Sequence, residues 1–265
     1  MPAIDLTRLH TRLGLSIAQI DDPPRFLREL RETYGFYADQ THPIGVFTKP
    51  AFNTPALLNR EIVFTLSNYC INRPDLILQL IDLLWQEPEV ELRRLAAQLL
   101  GRLPAEKFET VLERIRIWSQ NVSDTELLPY LHQQASVSIR QNNPQLWMGL
   151  LNEWKSSREA WLSSLAIQGI IPLIDDREFE NLPAIFSFLT PLIIHPSTED
   201  QFELLSVIEH MAQRSEVETV YFLKQMVSLS TDPEMDRFMR RVLDVFSPPM
   251  QESLRKTFRE RTSLK

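Results

Sequence analysis

At 265 residues, with 43% hydrophobic and 24% charged side chains, the chain has the composition of a soluble globular protein with a large core. Its 6 glycines argue against folds built on glycine-rich turns, such as sandwiches and dinucleotide-binding sheets. A net charge of −7 argues against attraction of the whole chain to nucleic acid, whose binding draws on neutralised phosphates.

The chain reads as helices throughout. No basic-then-apolar leader opens it, and two predicted helices, 4–20 and 24–40, form an N-terminal cap. The connection after them, 41–53, holds Pro43, Gly45 and Pro50. Further helices are predicted at 55–72, 74–86, 88–103, 105–120, 124–140, 144–155 and 157–174. The series continues at 179–194, 199–214, 216–229, 233–246 and 249–261. Leu92, Leu95, Ala96, Leu99, Leu100 and Leu103 illustrate the i, i+3, i+4, i+7 spacing behind these assignments.

Helix starts are marked in two ways. Ser123-x-x-Glu126, Ser156-x-x-Glu159, Thr198-x-x-Gln201 and Ser215-x-x-Glu218 have the capping-box form. Thr54-Pro55, Asn143-Pro144 and Asp232-Pro233 set a capping residue before a proline at the first helical position, where a missing N–H costs nothing. Short links between such helices predict antiparallel neighbours, and a long series of pairs predicts an all-α solenoid. The expectation is one domain, 1–265, with 1–53 as cap and connection.

Little chemistry announces itself. Cys70 is the only cysteine, so no intrachain disulfide forms; this fits a reducing compartment and a cytoplasmic protein. The apolar stretch 185–194 is interrupted by Ser187, Thr190 and Pro191 and is too short to span a bilayer, so no membrane role is expected. The five histidines are dispersed, which predicts no metal site. Without a glycine-rich phosphate loop or a nucleophile elbow, no cofactor and no catalytic residue is assigned. Asp21-Asp22 and Asp175-Asp176 read as turns and caps. Trp147 and Trp154, seven apart on one helical face, read first as seam packing and second as a stacking surface, with Trp161 opening the next helix. Charge is uneven. Residues 237–265 carry eight basic and three acidic groups, +5, against −12 for the rest.

The order of these features resembles the DNA alkylation repair glycosylases, a family of HEAT-like helical-repeat enzymes. The resemblance rests on Glu91-Leu-Arg-Arg-Leu-Ala-Ala-Gln-Leu-Leu, Trp118 ending a helix, a Leu-rich helix after Asp124, Trp147, Trp154, and Ser156-Ser-Arg-Glu-Ala-Trp161-Leu. The helical pair 237–246 and 250–258 completes it. It implies a curved α–α superhelix of about six or seven antiparallel pairs whose concave face holds duplex DNA. It also implies a Trp-x-x-x-Asp carboxylate that stabilises positive charge on the sugar, an arginine after Trp-Leu-x, and a tryptophan in the penultimate helix. At those positions this chain has Thr125, Pro129, Ser164 and Arg241, with Asp124 and Glu126 on other helical faces than 129.

Two readings follow. The favoured one is a non-catalytic HEAT-like scaffold that binds a protein partner. The alternative is a divergent DNA-binding or DNA-repair protein that engages duplex DNA through a basic concave or C-terminal surface. For either, the binding candidates are Arg158, Trp161, Arg237, Arg240 and Arg241.

Overall fold

The computed structural model describes residues 5–39, 50–121, 126–230 and 232–263. Asp124, Thr125 and the capping serine of Ser123-x-x-Glu126 lie outside them. Among the described residues all regular structure is helical: α1 Leu6–Ile17, α2 Pro23–Tyr37, α3 Ala56–Asn72, α4 Pro74–Gln86, α5 Val90–Leu100, α6 Phe108–Asn121, α7 Leu127–Ala135 and α8 Val137–Asn142. These are followed by α9 Pro144–Lys155, α10 Ala160–Asp175, α11 Leu182–Ile194, α12 Gln201–Arg214, α13 Glu216–Leu229, α14 Pro233–Val242 and α15 Pro248–Ser263. None of them is long and apolar enough to cross a membrane. The chain divides into two compact units, Met1–Pro144 and Gln145–Lys265.

In the first unit α3, α5 and α7 pack side by side, and α2 packs against α4. Helix α4 lies against α5, joining the two rows. The interior is aliphatic, with Leu58, Ile77, Leu92, Leu95 and Leu131 buried. Trp85 of α4 stacks on Trp118 of α6 with centroids 4.1 Å apart. Cys70 is buried in α3, and burial pushes its thiol up to about 12.

In the second unit α10 packs beside α12, and α13 beside both α11 and α15. Arginines cap these neighbours. Arg214, ending α12, donates to the carbonyls of Leu173, Ile174 and Asp176 at the end of α10, at 3.1, 2.8 and 2.8 Å. Arg261 of α15 does the same for Val227 and Ser230 at the end of α13, at 3.2 and 2.9 Å. Each places a cation where the free carbonyls and the helix dipole are negative, and each holds alternate helices parallel. Trp147 and Trp154 are buried, and the indole N–H of Trp147 donates to the Gly169 carbonyl at 2.9 Å. Their packing reading is the one observed.

Several helix ends differ from expectation. The predicted helix 124–140 is two helices broken at Ser136. There Ser138 donates both its N–H, at 3.2 Å, and its hydroxyl, at 2.5 Å, to the Gly101 carbonyl, which pulls the chain out of one continuous helix. The Asp22 and Asp232 caps form, accepting from Arg25 N–H and Glu234 N–H. Asp5 and Asn181 add two more. The boxes at Ser156, Thr198 and Ser215 do not form. Ser157 instead accepts from the Glu159 N–H at 3.2 Å, delaying α10 to Ala160. A reciprocal pair forms between Ser197 and Asp200, whose N–H donates to the serine oxygen at 3.1 Å.

The close approach at Gly101 of the first unit is testable against Gly149 of the second. A Cβ at Gly101 would lie 1.9 Å from the Gln134 carbonyl oxygen, so Gly101→Ala should cost about 2–3 kcal/mol in urea unfolding. At exposed Gly149 a Cβ meets nothing within 4 Å, and Gly149→Ala should stabilise by about 0.5–1 kcal/mol. Equal effects at the two sites would refute the close-approach account.

A second prediction concerns buried His132, whose Nε2 hydrogen-bonds the Ser119 hydroxyl at 3.0 Å and whose pKa burial lowers to about 4. Its folded pKa is depressed below an unfolded value of about 6.5, so its neutral form is fully compatible with folding above that pH. Stability is lost as pH falls from about 6.5 toward 4, by about 3 kcal/mol in total. His132→Leu should flatten that part of the unfolding profile, whereas parallel profiles would contradict it.

Candidate nucleic-acid interface

A groove of about 710 Å³ in the first unit is lined by α3, α5, α7 and the segment before α3. It is built by one stripe. Leu92, Leu95, Ala96 and Leu99 turn the apolar side of α5 inward, so Glu91, Arg94, Gln98 and Arg102, three or four residues apart, face the groove. Arg60 and the 77% exposed ring of Phe64 enter from α3, and Tyr130 enters from α7.

A polar ladder crosses the groove. The Tyr34 hydroxyl donates to Asn59 Oδ1, and Asn59 Nδ2 donates to Gln98 Oε1 at 2.6 Å. Gln98 in turn hydrogen-bonds Tyr130. Burial raises the Tyr34 and Tyr130 phenols above their ordinary range, while Arg94 and Arg102 pull Tyr130 partly back. Both phenols therefore stay neutral, and Tyr34, fully buried, keeps the proton it donates to Asn59.

The arginines are held loosely by acids. Arg94 lies 5.3 Å from the Tyr130 ring centroid, and its nearest carboxylate, Glu126, is 4.0 Å away. Arg60 is 3.7 Å from Glu61. Arg102 donates to the Gln98 carbonyl at 3.0 Å and has no acidic partner among the described residues. Three guanidinium groups against the one lining carboxylate, Glu91, give a locally positive groove on an acidic chain. Glu91 spends one oxygen on the Asn53 N–H at 2.7 Å, while its other is buried without a hydrogen bond.

The groove is hidden in the sequence because Arg60 is remote in the chain from Arg94 and Arg102. The i, i+4, i+8 row of Arg94, Gln98 and Arg102 opposite an apolar face was the available signal.

The predicted binding residues fall in the second unit and do not converge on one site. Arg158 is exposed in the turn before α10, with no hydrogen bond or ion pair among the described residues. Trp161 is 41% exposed in the first turn of α10. Arg241 ends α14 and donates to Gln201 Oε1 at 3.1 Å, reaching the start of α12. Arg237 pairs with Glu234 one turn back. Arg240 turns instead into a cleft with α15.

The start of α12 is a closed polar cluster. Asp200, 7% exposed, accepts from Ser164 at 2.8 Å on one oxygen, and from Ser163 at 3.1 Å and Ser197 at 2.9 Å on the other. Ser164, at the position where the resemblance implies an arginine, therefore ties α10 to α12. With both oxygens engaged by hydroxyls, this carboxylate acts as a strap. Asp200→Ala should strand three hydroxyls and cost about 2–3 kcal/mol in thermal or urea unfolding. An unchanged midpoint would remove the strap from the account.

Pro129, at the position where the resemblance implies an aspartate, is an exposed residue in the first turn of α7, and Glu126 is the exposed residue just before that helix. Among the described residues no group of three or more His, Cys, Asp or Glu side chains is placed to hold a metal ion.

A family model described as DNA alkylation repair enzyme matches residues 60–242, from within α3 to the end of α14. No curated protein and no solved structure matches the chain.

Proposed function

Because the chain belongs to the DNA alkylation repair enzyme family, we propose that it binds duplex DNA through the groove of α3, α5 and α7. The observation that carries this reading is the convergence of Arg60, Arg94 and Arg102 on one open concavity beside an exposed phenylalanine. Guanidinium groups neutralise phosphates and release counterions, a contribution set by the local field and indifferent to a net charge of −7 elsewhere. Phe64 and Tyr130 supply faces on which a base or sugar packs.

The parallel packing of alternate helices supports a HEAT-like stacking of helix pairs within each unit, with α3, α5 and α7 as the row that meets the ligand. The scaffold reading favoured by sequence gains nothing from the family match. An arginine groove with little acidic pairing suits a polyanion better than a protein surface of mixed charge.

The reading separates binding from the family's chemistry. Proline at 129 has no carboxylate to stabilise developing positive charge, and Asp200 is engaged by three hydroxyls. Base removal through that mechanism is therefore not proposed.

The test is a salt-dependent gel shift on duplex DNA with the full chain. Binding should weaken as salt rises, and Arg94→Gln/Arg102→Gln should reduce the slope of log K against log salt by about 2. Absence of wild-type binding at low salt would end the reading. Base release from alkylated duplex that is lost in Glu91→Gln or Glu126→Gln would restore an enzymatic one.

A further inference from the structure

A second basic feature lies mostly beyond the family-matched residues. Between α14 and α15 there is an open cleft of about 380 Å³. Arg240 enters it from α14, and Arg255, Arg259 and Arg261 enter from α15, with Phe258 and Asp236 also lining it. Helix α15 falls wholly outside residues 60–242.

The only lining carboxylate is already engaged. Asp236 Oδ1 accepts from Arg261, whose other terminal nitrogen is fixed on the carbonyls of Val227 and Ser230. Arg261 is thus locked in place, with only 15% of its side chain exposed, and forms the rigid wall of the cleft. Arg255 touches the neutral Gln251 at 3.3 Å, and Arg259 touches Glu252 at 3.2 Å on its own helix. Arg240 is exposed and has no hydrogen bond or ion pair among the described residues.

Asp236 offsets Arg261 and Glu252 offsets Arg259, so Arg240 and Arg255 leave the recess with positive charge that an anion would neutralise. Their planar donor forks match the oxygens of a phosphate, and an exposed pair, Arg240 and Arg255, faces a wall formed by Arg261. We propose that the α14–α15 cleft is a phosphate-binding site, with Arg240 and Arg255 as its principal ligands. The phosphate belongs either to the nucleic-acid backbone or to a small phosphorylated molecule. The cleft does not rest on the proposed role of the groove of α3, α5 and α7.

The experiment uses the full chain as wild type, as Arg94→Gln/Arg102→Gln and as Arg240→Gln/Arg255→Gln, with thermal melting to verify folding. Pyrophosphate is titrated by calorimetry, and a short duplex is titrated across a salt series. Pyrophosphate binding that survives in the groove variant and falls about tenfold or more in the cleft variant supports the site as a receptor for small phosphorylated molecules. A salt slope reduced by about 1–2 in the cleft variant assigns the cleft to backbone phosphates. Failure of the wild type to bind duplex ends the groove reading alone and leaves the pyrophosphate arm to decide the cleft. If the cleft variant matches the wild type in both arms, the proposal is overturned.

Discussion

The absence of a side chain at Gly101 sets the geometry of the first unit. The Gln134 carbonyl oxygen occupies the space where any other residue would carry a Cβ, 1.9 Å from that position. This lets the end of α5 meet α7 backbone to backbone. The Gly101 carbonyl then accepts from both the N–H and the hydroxyl of Ser138, which separates α7 from α8. With α7 drawn in, Tyr130 comes within cation–π range of Arg94 and hydrogen-bonds Gln98. One glycine thus connects a chain-level choice to the shape of the groove and to the charge it presents.

Electrostatics in this protein are local. Arg94 and Arg102 share a helical face, Arg60 reaches them from α3, and the nearby carboxylates hold them at 3.7 to 4.0 Å or not at all. The second unit uses the same residue type for another purpose. Arg214 and Arg261 are committed to helix-end carbonyls, where they hold alternate helices in register. Counting arginines does not separate these roles; their partners do. The family match supplies the polyanion as context, and the loosely paired guanidinium groups supply a surface for it.

The all-helical character of the chain was legible because apolar stripes recur along it and a capping residue precedes proline, as at Asp232-Pro233, although Thr54 before Pro55 makes no such cap. The capping boxes at Ser156, Thr198 and Ser215 misled. Nearby serines offered competing turns, and Ser197 with Asp200 formed the reciprocal pair one residue earlier than Thr198-x-x-Gln201. The family was legible from the order of Trp118, Trp147, Trp154 and Trp161. The groove was not, since Arg60 meets Arg94 and Arg102 only after α3 packs beside α5. The basic C-terminal run was visible as charge, but its division was hidden. Arg241 goes to Gln201, Arg240 to the cleft, and Arg261 to the end of α13.

The chain offers a direct measure of where DNA lies. Cys70 is buried and its thiol is pushed up to about 12, so it is inert to disulfide exchange near neutral pH. A single cysteine at exposed Phe64, in the groove, is then the only reactive thiol, and one at exposed Leu15 of α1 serves as the reference. Each variant is mixed with duplex DNA carrying a thiol-tethered base, and cross-linked product is measured. Efficient capture by Phe64→Cys, little by Leu15→Cys, and loss of the groove product at high salt are expected. Equal capture at both positions, or capture at Leu15 alone, would contradict the placement of DNA in the groove.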